Sequence, residues 1–366
     1  VRRWRLAATA FLVLVACKRA PEPTMSPEPA ATRSAPNASG TAPKVEAPRA
    51  VVAAHYAAMG TSVDMKVWSD REKEAREAMD AAHAEIVRLE RMMTTWREDS
   101  EVARINASAG GAAVPVSHEL LEVLQGARAI YDASGGVFDI TFYGLKGLWH
   151  FDQDATNDIP SEDAIKARLP LIDGSKVELD ATKSTVRLPT KGMLINLGGI
   201  AKGYAVDRAA RVLADRGFTD VVVQAGGDLL VRGRKGLDPW RVGIRDPRGT
   251  PDNYFAVAAI HDAAFSTAGD YERGFVKDGK RYHHILDPRT GHPADACRSV
   301  TVFAPDALTA DELDDAIFIL GPEKGLPLVE ARPGVGAVVV DKDNKVWVSK
   351  RLAGVVEIVH QPTPGI

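Results

Sequence analysis

The stretch Val221-Val222-Val223-Gln224-Ala225-Gly226-Gly227-Asp228-Leu229-Leu230-Val231-Arg232 decides the fold class. Two short aliphatic runs, 221–224 and 229–232, are parted by a glycine pair, which reads as a strand, a tight turn or bulge, and a second strand. No helix separates them. The same holds further along the chain, where runs at 241–244, 256–260, 300–304, 336–340 and 346–349 read as strands, as does 193–196 upstream. Helical periodicity is confined to four places. These are 71–93, the segment from an N-cap at Ser117 to Gly135-Gly136, 200–216 ended by Gly217, and 310–320 ended by Gly321-Pro322. Strands that follow one another without helices between them predict an α+β fold, with a largely antiparallel or mixed sheet packed against helices in one compact domain.

Composition narrows the function. The 366 residues carry 46 Lys+Arg against 49 Asp+Glu, a net charge of −3, which leaves no electrostatic footprint for a nucleic-acid binder. Cys17 and Cys297 are the only cysteines, too few for a disulfide framework or a multi-cysteine zinc site. No GxSxG elbow, HExxH, CxxC or Walker loop occurs, which leaves serine hydrolase, zincin and thioredoxin-like readings without support.

The N-terminal segment reads as an address. Arg2, Arg3 and Arg5 precede an uncharged run over 6–16, shorter than the roughly 20 residues a membrane span needs. It ends Leu14-Val15-Ala16-Cys17, which resembles a bacterial lipobox and implies a signal peptide over 1–16, acylation of Cys17 and an exported, lipid-anchored protein facing the periplasm. Residues 18–50 hold seven prolines among Ala, Ser, Thr and Glu, the composition of an extended tether. The domains are therefore the signal peptide 1–16, the acylated cysteine and linker 17–50, and a folded body 51–366.

Three places in the body carry chemistry. In Leu194-Ile195-Asn196-Leu197-Gly198-Gly199-Ile200-Ala201-Lys202-Gly203, glycines open a helix and a lysine stands in its first turn. Bare amides and the dipole there favour an anion such as phosphate, although glycine pairs also serve plain helix–strand packing. After the stretch Phe265–Arg273, the loop 282–291 gathers His283, His284, Asp287 and Arg289, dense polar chemistry for one loop. On the fourth helix Asp311, Asp314 and Asp315 share one face, as hard-cation ligands would. Alternatively, Thr309 and Glu312 form a capping box, and the acids simply complement the helix dipole in its first turn.

Together these stretches resemble the ApbE family of FAD:protein FMN transferases. The matching segments are Met59-Gly60-Thr61, 93–100 beginning Met93-Thr94-Thr95-Trp96, Ser134-Gly135-Gly136-Val137-Phe138-Asp139, 196–207, 225–228, 266–273, 283–291 and 309–325, in the family's order. The resemblance implies Mg²⁺-dependent cleavage of FAD, with FMN passing to a Ser or Thr hydroxyl of an acceptor flavoprotein of the Nqr or Rnf type and AMP leaving. It places Met59, Trp96, Val137, Phe138, Asp139, Asn196, Lys202 and His284 against FAD. It gives the metal to the Gly199 carbonyl, Asp311 and Asp315, and the chemistry to Lys202 and His284. His284, Asp287 and Asp270 are the candidates for general base. Three positions depart from the family pattern: Asn196 where many relatives have Asp, Trp96 where they often have Tyr, and Asp315 where they usually have Thr. An FAD pyrophosphatase using the same site, and a non-catalytic FAD-binding lipoprotein, are the alternatives.

Overall fold

The computed structural model describes residues 48–151 and 157–366. The signal-like segment, Cys17 and most of the proline-rich stretch lie outside them. The first strands are β1 (Ala50–Ala58), β2 (Thr61–Ser69), β3 (Val114–Pro115), β4 (Glu178–Asp180), β5 (Thr185–Arg187), β6 (Val221–Ala225), β7 (Asp228–Arg232) and β8 (Trp240–Arg245). They are followed by β9 (Tyr254–Ile260), β10 (Ala263–Gly269), β11 (Gly274–Lys277), β12 (Lys280–His283), β13 (Cys297–Ala304), β14 (Gly336–Asp341), β15 (Val346–Val348) and β16 (Val356–Ile358). The helices are α1 (Glu72–Met93), α2 (Glu101–Ala107), α3 (His118–Ala133), α4 (Glu162–Arg168), α5 (Ala201–Asp215), α6 (Ala307–Leu320) and α7 (Pro322–Glu330).

The main sheet has eight strands in the order β1-β2-β6-β7-β10-β13-β14-β15, and every pairing in it is antiparallel. Its hinge is the quoted stretch. The β6 and β7 strands close as a hairpin in which Ala225 faces Asp228 across Gly226 and Gly227. All five residues of β6 are buried, and all but Gln224 are apolar, so the strand reads as a continuous run instead of alternating. Successive residues nevertheless serve different cores. Val221, Val223 and Ala225 face the main core with α1, α5 and α6, whereas Val222, Leu229 and Val231 face a second core under the β8-β9-β16 sheet. The result is the predicted α+β fold, with helices on one face of an antiparallel sheet and a small sheet on the other.

Two local expectations fail for identifiable reasons. Residues 193–196, of which Met193 and Ile195 are buried, join no sheet, because other partners satisfy their backbone. The Asn106 side chain exchanges hydrogen bonds with Ile195 N–H and C=O at 2.8 and 2.9 Å, and Asn196 N–H donates to Ile140 O at 2.9 Å. The helix expected from 310 begins at Ala307. Its N-cap is Asp306, which accepts from Thr309 N–H at 2.8 Å, and Asp207 of α5 accepts from the Ala307 and Leu308 amides at 2.9 Å each. Thr309 and Glu312 therefore form no capping box. Asp311, Asp314 and Asp315 lie beyond the first turn, which holds no acidic residue, so helix-dipole complementarity does not account for them.

Candidate active site

The site grows from the contact between α5 and α6. At Gly203 the two backbones meet so closely that a Cβ would stand 2.3 Å from the Ala307 carbonyl oxygen. That approach lets Gly203 N–H donate to Asp311 Oδ2 at 2.8 Å. One residue earlier, Lys202 turns its ammonium between two carboxylates, 2.7 Å from Asp228 Oδ2 and 3.1 Å from Asp311 Oδ1. A cation in a first helical turn opposes the dipole, and this pairing is what holds it there. Burial pulls the Lys202 pKa down, but the charges of Asp228 and Asp311 outweigh it and hold the ammonium above the ordinary lysine range.

The acids are buried in earnest. Asp228 is fully inaccessible, and Asp311 and Asp314 are 2% and 3% exposed. Burial, then the charge of Asp228, pushes Asp311 up to about 8. Burial and neighbouring Asp315 raise Asp314 well above the carboxylate range, and burial pushes Asp315 up to about 6. Ser266 Oγ lies 2.7 Å from Asp228 Oδ1 and 2.6 Å from Asp314 Oδ2. One hydroxyl proton cannot serve both contacts, so a second proton shares this hydrogen-bonded group.

Such a group fits a hard cation. The Asp315 carboxylate presses on Gly199, where a Cβ would stand 2.6 Å from Oδ2, so this backbone and carboxylate meet at one place. Among the described residues no three His, Cys, Asp or Glu side chains form a metal cage. Magnesium does not ask for one. It takes one or two carboxylates and keeps water or substrate phosphate in its remaining positions, which suits Asp311, Asp315 and a glycine carbonyl.

The other predicted residues surround this centre. Phe138 is 6% exposed, and one of its ring carbons lies 3.4 Å from where a Gly199 Cβ would be. Val137 is buried beside it. Asp139 spends its carboxylate inside the protein, accepting from Thr141 N and Oγ1 and from Gly174 N at 2.6–2.8 Å, so toward a ligand it presents only backbone. Asn196 Oδ1 takes the Gly198 N–H at 2.7 Å, which fixes the amide and turns Nδ2 toward Thr95 Oγ1 at 3.4 Å. Next to Thr95, Trp96 stands 85% exposed, an indole with nothing packed over it at the rim. Met59 sits at φ +52° beside Gly60 at φ +72°, the left-handed pair that the two-residue β1–β2 hairpin turn requires.

The three general-base candidates separate by geometry. Asp270 is locked in a two-pronged ion pair with Arg248 at 2.6 and 2.7 Å, and Asp287 in another with Arg289. His284 Nδ1 faces the Arg273 carbonyl at 3.3 Å. A carbonyl only accepts, so Nδ1 carries the proton and Nε2 keeps its lone pair. Burial, then the charge of Arg273, pushes His284 down to about 3, which keeps the ring neutral. Asp228 and Ser266 escape the sequence reading as site residues. The first passes for a turn residue, although an acid opening the buried run Leu229-Leu230-Val231 is itself a signal.

Fold and centre together define an α+β protein with a half-buried lysine set among buried carboxylates at one helix start. The ApbE family model matches residues 59–339, and the chain belongs to that family. It is 36% identical over 320 residues to an FAD:protein FMN transferase of Treponema pallidum, covering 82% of this chain and 87% of the relative. It is 31% identical over 286 residues to one of Escherichia coli, covering 76% and 81%. Among solved structures, the ApbE protein of Thermotoga maritima superposes with a TM-score of 0.75 at 32% identity, covering 84% of this chain and 99% of that one. The flavin transferase ApbE of Vibrio cholerae gives 0.74 at 27%, with coverages of 84% and 100%.

Proposed function

We propose that the chain is an FAD:protein FMN transferase, moving FMN from FAD to a Ser or Thr hydroxyl of an acceptor flavoprotein. The observation that carries this reading is the placement of Lys202, half-buried between Asp228 and Asp311 in the first turn of α5, where a diphosphate would find a cation at the positive end of a helix dipole. Family membership and the names of relatives support it. In the transfer the acceptor oxygen forms a bond to the FMN phosphorus, the bond to the AMP oxygen breaks, and AMP carries away that electron pair. The hydroxyl proton passes to a base; His284 offers an unprotonated Nε2 for it, and the charge of the bound diphosphate would have to offset the burial that weakens this base. Trp96, Phe138, Met59 and Asn196 line the flavin side; Val137 and the Asp139 backbone complete it.

Mg²⁺ belongs to the proposal. Asp311, Asp315 and the Gly199 carbonyl would hold it, and when bound it neutralises charge on the diphosphate. Lys202 binds the same diphosphate from the helix end, and buried Phe138 helps exclude water from the Gly199 turn. Acceptors of the Nqr or Rnf type, and anchorage by acylated Cys17 facing the periplasm, complete the reading.

The test mixes the protein with FAD, Mg²⁺ and a recombinant acceptor domain, and scans a denaturing gel for flavin fluorescence. A fluorescent acceptor band that disappears on chelation, and on mutation of the acceptor Thr, is the expected result. Free FMN and AMP with a dark band would identify a pyrophosphatase, and intact bound FAD a carrier. Incorporation of labelled palmitate, lost in Cys17→Ser, tests the anchor.

A further inference from the structure

Asp228 has one partner for each carboxylate oxygen. Oδ2 forms an ion pair with Lys202 Nζ at 2.7 Å and accepts no hydrogen bond, while Oδ1 lies 2.7 Å from Ser266 Oγ. Ser266 itself is held rigidly. It lies in β10, 2% exposed, paired with Val302 of β13 on one side and next to the Phe265–Leu229 rung with β7 on the other. The turn before Asp228 rests on the same strand, since a Cβ at Gly227 would stand 2.9 Å from the Thr267 carbonyl oxygen. A central strand thus reaches Lys202 through a single hydroxyl and a single carboxylate.

We propose that Ser266 is a positioning residue for the transfer reaction. It fixes the rotation of the Asp228 carboxylate, so that Oδ2 points at Lys202, and it occupies the oxygen that would otherwise compete for the ammonium. It also stands between Asp228 and Asp314, whose Oδ2 lies 2.6 Å from its hydroxyl, and so keeps the second acid off Lys202. Lys202 is then presented to the diphosphate from one direction only. Without the hydroxyl, Asp228 keeps a buried oxygen with no partner and turns to find one, and Lys202 follows it. The inference rests on the transferase reading above.

The experiment measures FMN transfer and FAD affinity for the full chain and for Ser266→Ala, Ser266→Thr, Lys202→Ala and the Ser266→Ala/Lys202→Ala pair. Misplacing a positioning group by about an ångström costs up to roughly 100-fold in rate. Ser266→Ala is therefore expected to lower kcat about 10- to 100-fold, with the FAD dissociation constant within roughly threefold of wild type. Ser266→Thr, which keeps the hydroxyl, recovers most of the rate. The decisive readout is coupling: in the Lys202→Ala background, loss of Ser266 costs nothing further, because the group it positions is gone. Independent losses that multiply, or a wild-type kcat in Ser266→Ala, would overturn the proposal. Should Ser266→Ala not fold, Ser266→Cys, similar in volume and a poor donor, takes its place with the same expectations. An inactive wild-type enzyme overturns the transferase reading, and this inference with it.

Discussion

Asp311 is the residue on which most of the site converges, since it holds Lys202 with one oxygen and the α5 backbone with the other. Asp311→Ala is expected to reduce metal-dependent FAD turnover by roughly 10²–10³-fold, the usual cost of removing one preorganised charge-stabilising group, while leaving most of the FAD affinity. AMP release and a flavin-quenching titration separate the two effects. Undiminished turnover with Mg²⁺ would take Asp311 out of the metal site. Asp315 differs, because its carboxylate is turned to the Gly199 backbone and not to Lys202 or the α5 amides. Asp315→Thr puts a neutral hydroxyl in place of this carboxylate and is expected to keep or raise Mg²⁺-dependent turnover; complete loss would show that the second carboxylate is essential. At this scale legibility followed local anomaly. A lysine in a glycine-opened first turn, and three acids on one helix face, are both costly without a partner. Asp228 stayed hidden because its partner lies 26 positions upstream, and no local rule joins them.

Among the elements, helices were read best because burial imposes a 3.6-residue period on them. In α1 the buried residues are Ala75, Ala78, Met79, Ala82, Ile86, Leu89 and Met93, close to the stripe the sequence displays. The β1 strand was missed for the opposite reason. It is an alanine-rich edge with little contrast between its faces, and its outward carbonyls are met by α1 side chains, Arg76 at Ala53 O and His83 at Ala57 O, both 3.2 Å. The start of α6 was misplaced because its cap comes from another helix, through Asp207. The pairing of α5 with α6 depends on Gly203 having no side chain. Gly203→Ala would set a methyl against backbone that has no rotamer to yield, so the helices must part and Asp311 must leave the Gly203 amide. Destabilisation of about 1–3 kcal/mol is expected, read as a lowered Tm, together with loss of FAD turnover. Unchanged values for both would mean that the contact is not required.

For the whole molecule, the acids divide into two sets with opposite demands on pH. Asp173 and Asp180 are held below the ordinary carboxylate range, first by the Ser175 and Thr182 hydroxyls and then by Lys176 and Lys183. Their contribution is present above about pH 4 and is lost as pH falls through their folded-state values. Asp311, Asp314 and Asp315, with Asp207 pushed up to about 6 and Glu312 to about 7, are raised chiefly by burial. For these the native state binds more protons than the unfolded chain between roughly pH 4 and 8, so stability falls as pH rises through that window. The metal-free protein should therefore show its highest Tm near pH 5 and lose stability toward pH 8. A divalent cation at the cluster replaces the missing protons, so the Tm increment on adding Mg²⁺ should grow from pH 6 to pH 8. Asp314→Asn separates this account from a general effect of pH, because the amide keeps a donor toward Ser266 and never ionises. That variant should be more stable than wild type at pH 8 by about 1–2 °C, the shift that 1 kcal/mol produces in a domain of more than 300 residues, with a flatter Tm profile across the window. Parallel profiles for variant and wild type would place the pH dependence outside the buried cluster.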